Sequence, residues 1–232
     1  MEGHEGRCEN CIIRQLNSLK ALTKEELKKI SDSKVTKSVK KGEVLFEEGE
    51  RLNGVFCVRS GVSKLSKMSD NGKDQIVKIA AKGEVMGQRS VIAEERTNLS
   101  AVALNDMEVC YIPKHHLTDN INDNVAFTKA VLVHMANELK FADNVIVNMA
   151  QKTVKQRLAE TLLYLKNNFG EDEEGFLNII LSREDIANVV GTAKEACIRT
   201  LTNFKKENMI STNGKRIKIV DEKMLCRLFE GF

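Results

Sequence analysis

The chain has 232 residues, 42% hydrophobic and 30% charged, with 36 Lys and Arg against 33 Asp and Glu. That is enough for two domains with ordinary cores and too apolar for a disordered chain. No run of about 18 uncharged apolar residues occurs, so no spanning helix is expected, and the opening MEGHEGRCENC has no apolar core of a secretory signal, which makes cytoplasm the expected compartment.

Residues 23–34 (TKEELKKISDSK) place Glu26 three residues after Thr23, a capping box that predicts a short helix. From Val35 to about Pro113 the pattern changes to short alternating stretches punctuated by glycine, as in GVFCVRSGVSKLSKM and SAVALNDMEVCYI. Such spacing predicts a β-barrel or jelly roll. Within it, Asp70-Asn71-Gly72 supplies the positive φ of a tight hairpin turn. Pro113 suits the first turn of a helix.

After INDN comes a long helical stretch. Its apolar residues Val125, Leu132, Met135, Leu139, Ala142, Ile146 and Met149 follow spacings of 7, 3, 4, 3, 4 and 3, with Thr128 in the remaining position. This is an a/d seam, which suits pairing of two such helices. The same spacing also serves packing within one subunit; self-association is the reading adopted. Residues 151–168 predict another amphipathic helix, the acidic 170–175 a surface turn, and FLNIILS (176–182) a strand. The predicted class is α+β, with three parts: residues 1–115, 116–150 and 151–232. These are a β-roll (a double-stranded β-helix or jelly roll) with a short leading helix, a dimerisation helix, and a C-terminal winged helix-turn-helix.

The last part rests on SREDIANVVGTAKEACIRT (182–200). Ser182 with Asp185, and Thr192 with Glu195, can cap two short helices. Gly191 permits the turn between them and Ala187 a close approach. Ile186, Val189 or Val190, Ile198 and Leu201 supply the apolar faces. The second helix carries Lys194, Glu195 and Arg199, residue types that reach base edges in a major groove. MISTNGKRIKIV then predicts a hairpin wing around Asn213-Gly214. From Lys194 to Val220, seven basic residues face two acidic ones, a balance of +5. Thr192, Lys205, Lys206, Lys215, Arg216 and Lys218 are the expected phosphate contacts.

The segment SREDIANVVGTAKEACIRTLTNFKKENMISTNGKRIKI resembles the winged helix-turn-helix of the CRP/FNR family of bacterial regulators. KKGEVLFEEGE, VFCVRSGVSKLSKMSDNGKDQIV and KGEVMGQRSVI resemble the same family's cyclic-nucleotide-binding-type β-roll, and the likeness runs in order over nearly the whole chain. The resemblance implies a transcription regulator that binds double-stranded DNA as a homodimer on a pseudo-palindromic operator, with RNA polymerase as a further partner and no membrane. An effector or redox event in the N-terminal part would control binding. The other reading is a metabolite- or nucleotide-binding module whose winged helix contacts protein. No Walker loop, GxSxG elbow, HExxH or paired carboxylates with a base suggest an enzyme.

For the sensor, the resemblance implies cyclic AMP first. Family members that bind it place a Glu after the cassette glycine and an Arg-Ser pair at the phosphate; the corresponding residues here are Gly87-Gln88-Arg89 and Leu99-Ser100. A buried phosphate without its cation is costly, which argues against standard cyclic AMP binding. The resemblance next implies an iron–sulfur cluster: Cys8, Cys11 and Cys110 match three of four cysteine positions in the oxygen-sensing branch, and the remaining position is Asn17. Cys57 is read as a core residue of its strand. A dithiol switch at Cys8 and Cys11, haem on one of His4, His115, His116 or His134, an unidentified small effector, and no effector at all stay open.

Overall fold

The computed structural model describes residues 6–70 and 72–229; His4 and Asn71, named above, lie outside the described residues. Three 3-10 turns between Cys8 and Ala21 lead into helix α1 (Lys24–Ser33). Thr23 Oγ1 accepts from Glu26 N–H while the Glu26 carboxylate accepts from Thr23 N–H, closing the capping box. Strands β1 (Val35–Val39), β2 (Val44–Phe46), β3 (Gly54–Ser60), β4 (Ser63–Met68), β5 (Asp74–Ala80) and β6 (Val85–Met86) follow. Then come α2 (Gln88–Ala93), β7 (Ser100–Ala103) and β8 (Met107–Pro113).

These strands form two four-stranded sheets, ordered β1-β8-β3-β6 and β2-β7-β4-β5. Phe46, Phe56, Val58, Leu65, Ala101 and Val109 fill the interior of the roll. β3 is buried along most of its length because both faces are covered. Phe56 and Val58 face the interior, while Val55 and Cys57 join a second core with Leu27 and Ile30 of α1. A central strand covered on both sides reads as a continuous apolar run, as GVFCV does.

Pro113 ends β8 with extended backbone and stands just before α3 (Lys114–Asp123), not within its first turn. The span 116–150 is two helices rather than one. Asn124 leaves the helical region, its Oδ1 accepts from Phe127 N–H, and its amide donates to the Glu26 carboxylate. It thus caps the start of α4 (Val125–Gln151). Phe127 and Val131 of α4 are buried in the second core, with Met135 packed against it.

The chain divides into two compact units, one holding the residues up to Asp70 and Val77–Lys140, the other Phe141 onward with the short stretch ending at Ile76. In the second, α5 (Val154–Phe169) opens with a Thr153–Gln156 capping box and buries Leu158, Leu162 and Leu165. Residues 176–182 do not form the predicted strand. Leu177, Ile179 and Leu181 are buried in alternation, yet pairing is limited to the bridge Glu171↔Leu177 and one bond from Leu177 N–H to the Ile217 carbonyl. The period of two reports an extended backbone; a strand also needs a ladder partner. Helices α6 (Arg183–Val190) and α7 (Lys194–Lys206), strands β9 (Ile210–Asn213) and β10 (Arg216–Ile219), and α8 (Glu222–Arg227) complete the chain.

Candidate nucleic-acid interface and sensor pocket

The helix-turn-helix is built from local rules. Ser182 and Asp185 close the capping box of α6, and Gly191 (φ 69°) takes the left-handed conformation that ends it. Thr192 does not cap α7. Its N–H is used in the turn, bonding the Ala187 carbonyl, and the N-cap residue is Ala193, which has no side-chain acceptor. The buried face of α7 is Cys197, Leu201 and Phe204, spaced i, i+4, i+7. Ile198, predicted on that face, is 43% exposed instead.

That rotation settles which charges face outward. Lys194, Glu195 and Arg199 are all exposed. Lys194 Nζ lies 3.3 Å from Glu184 of α6, a solvent-exposed pair of small energetic weight. Glu195 and Arg199 have no ion-pair or hydrogen-bond partner for their side chains among the described residues. Two arginines that sequence reading missed hold the assembly. Arg157 of α5 donates to the carbonyls of Val190 (2.8 Å), Gly191 (3.2 Å), Lys152 (2.6 Å) and Met149 (3.4 Å). It satisfies the last carbonyls of α4 and α6 together, acceptors a helix end leaves open. Arg183 reaches Gly214 and Lys215 carbonyls at 3.0 and 3.4 Å, fastening the wing tip to α6. Neither role has a local sequence signal, since the acceptors are backbone carbonyls up to 34 residues away.

β9 and β10 pair antiparallel, Asn213 opposite Arg216, forming the wing. Lys205, Lys206 and Lys215 are exposed; Thr192 is half-buried. Arg216 is engaged elsewhere. Its guanidinium meets Asp172 at 2.6 Å and Glu174 at 3.0 Å and lies 4.1 Å from the centre of the Phe176 ring. Those bonds raise its pKa and hold the Asp172 carboxyl below the usual carboxylate range. Lys218 Nζ donates to the Glu174 carbonyl. The acidic 170–175 turn, predicted to be merely surface, therefore neutralises one predicted phosphate contact, Arg216, and engages a second, Lys218, through a backbone carbonyl.

In the β-roll, Gly87, Gln88, Arg89 and Leu99 line one shallow pocket; Ser100 does not. Gly87 needs its left-handed φ of 83°, and a Cβ there would meet Leu52 at 2.6 Å. Gln88 is buried, Arg89 exposed, and Leu99 belongs to the interior core. Ser100 Oγ accepts from Glu48 N–H, outside the pocket. The lining carries two cations, the exposed Arg89 and Lys78, the latter 2.6 Å from Glu84 and 2.5 Å from Glu138 of α4. Burial opposes its charge, but the two carboxylates outweigh burial and raise its pKa; Lys78 in turn holds the Glu138 carboxyl below its ordinary value against the same opposition. A cyclic phosphate entering here would meet Lys78 already neutralised, with Arg89 as the other cation of the lining.

The N-terminal cysteines lie under α1. Cys8 is buried, Cys11 half-buried and Cys110 buried. Arg7 and Ser31 bond Glu9, and Cys8 N–H donates to Ser31 Oγ, which pins the turn to α1. The Ser31 and Arg7 bonds hold the Glu9 carboxyl down at about 2. Lys34 Nζ is 3.8 Å from Cys110 Sγ. Cys57 stands directly opposite Cys110 in the β3–β8 register and shares the core that holds Cys8 and Cys110, with Cys11 packed against it. Burial, then the neighbouring Cys110, Cys11 and Cys8 thiols, push the Cys57 thiol up to about 12. No three His, Cys, Asp or Glu side chains among the described residues already converge on one coordination point. The donor chemistry suits an iron–sulfur cluster, because thiolates are its ligands. Among the described residues the imidazoles form no such set: His115 is exposed, His116 bonds Ser33 Oγ, and His134 lies on α4. Cys197, on α7, is fully buried, and burial pushes its thiol up to about 11.

A β-roll followed by a long helix and a winged helix-turn-helix defines a DNA-binding transcription regulator. Residues 36–124 match the model of the cyclic nucleotide-binding domain, and residues 156–228 that of the Crp-like helix-turn-helix domain. The chain is 31% identical to the transcriptional activator protein Anr of Pseudomonas aeruginosa, covering 98% of this chain and 94% of that one. It is 28% identical to the fumarate and nitrate reduction regulatory protein of Vibrio cholerae, over 95% and 89% of the two chains. Its fold is shared by a Crp/Fnr-family regulator from Eubacterium rectale (TM-score 0.75, 22% identity, 90% of this chain and 95% of that one). FixK2 from Bradyrhizobium japonicum is equally similar in fold (TM-score 0.75, 23% identity, 84% and 96%). The chain belongs to the CRP/FNR family: it is a sequence-specific DNA-binding regulator and not an enzyme. None of its described helices is long and apolar enough to cross a membrane.

Proposed function

We propose that the chain acts as a cytoplasmic homodimer in three parts, residues 1–115, 116–150 and 151–232, and places α7 of each subunit in successive major grooves of a pseudo-palindromic operator. Arg199 donates to guanine O6 and N7, Glu195 accepts from cytosine N4, and Lys194 reaches guanine or phosphate. Thr192, Lys205, Lys206 and Lys215 hold phosphates and set register. Arg216 and Lys218 support the wing from behind. The observation that carries this reading is the exposed, unpartnered Glu195–Arg199 pair on the helix whose opposite face is fully buried.

The a positions of the predicted seam support pairing: Val125, Leu132, Leu139 and Ile146 are 84%, 63%, 66% and 66% exposed. Four apolar side chains at heptad spacing left in water are poorly explained by packing within one subunit. Met135 and Met149 are half-buried and Ala142 exposed. A change in the β-roll alters how two α4 helices pair, and so the spacing of the two α7 helices, which must match about 34 Å on the duplex. An iron–sulfur cluster on Cys8, Cys11 and Cys110 is the sensor, and it would supply the redox sensitivity; Lys34 lies where it offsets thiolate charge. RNA polymerase is the partner through which the bound dimer acts. Selection of binding sites from random duplexes tests the reading. Enrichment of a two-fold sequence with half-sites one helical turn apart is expected; enrichment of none would refute it.

A further inference from the structure

The thiol set contains one more member than the sequence pattern supplies, and the residue at the vacant position of that pattern touches it. Asn17 Nδ2 lies 3.6 Å from Cys57 Sγ, and the same amide donates to the Gly83 carbonyl at 2.9 Å. Position 17 and the sulfur of residue 57 therefore address one small volume, one from the N-terminal turns and the other from β3. Cys57 and Cys110 are cross-strand partners, so their side chains leave the same face of the sheet. That face is the one covered by the turn bearing Cys8 and Cys11.

We infer that Cys57 is the fourth thiolate ligand of an iron–sulfur cluster held by Cys8, Cys11 and Cys110, with Asn17 as its neighbour rather than a ligand. This rests on the cluster reading proposed above and names the donor which that reading lacks. Thiols gathered in a core resist ionisation, because each thiolate would be buried beside others. A bound cationic iron centre reverses that sign and deprotonates its ligands outright. Four thiols release four protons to solvent on ligation; the ligation itself moves no electron, and the mixed-valence iron of the cluster is supplied as ferrous and ferric iron together. The donors do not yet converge on one point, so ligation draws Cys8 and Cys11, carried on 3-10 turns, toward the fixed pair on β3 and β8. The Cys8 N–H to Ser31 Oγ bond holds the Cys8 backbone, so Cys8 adjusts through its side chain while the segment around Cys11 moves.

The test uses the full chain, reconstituted anaerobically with ferrous and ferric iron in equal amounts and sulfide, desalted, and assayed for iron, acid-labile sulfide and visible absorption. Wild type should hold about two or four irons per chain with matching sulfide, the numbers that four thiolates support. C57S should lose iron and absorption roughly tenfold or more, with its circular dichroism unchanged. C57S/N17C should recover both, because a thiol from position 17 reaches the same volume; a side chain needed only for packing would not be replaced from another element. C226S should match wild type. If C57S keeps the wild-type iron and sulfide content, Cys57 is not a ligand and only this inference falls. If folded wild type takes up neither iron nor sulfide, the cluster reading falls and takes the inference with it.

Discussion

In the β-roll pocket Lys78 sits between Glu84 and Glu138, and this half-buried cation lining the cavity is neutralised by its own chain. On α7 the reverse holds, since Glu195 and Arg199 are exposed and their side chains have no partner among the described residues. A polar group satisfied internally gains little from a new ligand, because binding must first break what it has. A pre-positioned group with only water to lose gains the full contact. Lys78 is thus poorly suited to hold an anionic nucleotide, while Glu195 and Arg199 are suited to base edges. The wing shows both behaviours within a few residues: Lys215 is exposed with its ammonium unpaired among the described residues, whereas Arg216 is clamped by Asp172 and Glu174.

The largest expected effect comes from the helix through which the second copy is proposed to be held. Leu139→Glu puts a charge into the exposed seam of α4. Sedimentation should then give the mass of a single chain. Operator affinity should fall by roughly 10²-fold or more, because the second half-site is no longer bound as a linked event. Thermal stability of the isolated chain should barely move, as Leu139 is 66% exposed already. An unchanged mass would remove the seam. Next in size is Arg199→Ala, which should cost about 1–3 kcal/mol and relax preference at one base pair. An equal loss on specific and random duplexes would show that Arg199 meets phosphate instead.

Local grammar accounts for what the sequence made legible. Thr23–Glu26 and Ser182–Asp185 lie within one helical turn, so their caps were readable, and the Asn213-Gly214 wing likewise depends on adjacent residues. The failures depend on distance or on rotation. Ile198 and Cys197 differ by one position, and either can extend an apolar stripe through Leu201, so only packing decides that Cys197 faces inward. Asp172 and Glu174 lie more than 40 residues from Arg216, and an acidic turn looks solvated until the partner is placed. Cys57 meets Cys110 through a strand register spanning 53 positions of sequence. Arg157 works entirely on backbone carbonyls, which no side-chain pattern announces.

The pocket itself can be tested through Lys78→Met. Its side chain and those of Glu84 and Glu138 are 23%, 33% and 25% exposed, between the surface and buried cases, so the loss should be on the order of 1–2 kcal/mol. The pH dependence follows from the two directions. Glu138 has a folded pKa below its ordinary 4.5, so its contribution is present above about pH 4.5 and is lost as pH falls through the depressed folded value. Lys78 is raised above 10.5, so its contribution is lost only as pH rises through that higher value. The difference in melting temperature between wild type and Lys78→Met should be level from about pH 6 to 9 and shrink on acidification. A difference that stays level below about pH 4.5 would mean that Lys78 does not draw its stabilisation from the two carboxylates.

The smallest effect separates the two kinds of cation on the wing. Lys215→Ala should weaken binding to all duplexes alike and reduce the slope of log affinity against log salt by about one, as expected when one phosphate is no longer neutralised. Arg216→Ala should change neither affinity by more than about twofold nor the slope measurably. Its guanidinium already faces two carboxylates and the Phe176 ring, and delivering it to a phosphate would leave Asp172 and Glu174 without their cation. If both variants lower the slope equally, Arg216 leaves those partners when DNA arrives. The acidic turn would then be a competitor for the wing rather than its support, and charge reversal at Asp172 should tighten binding.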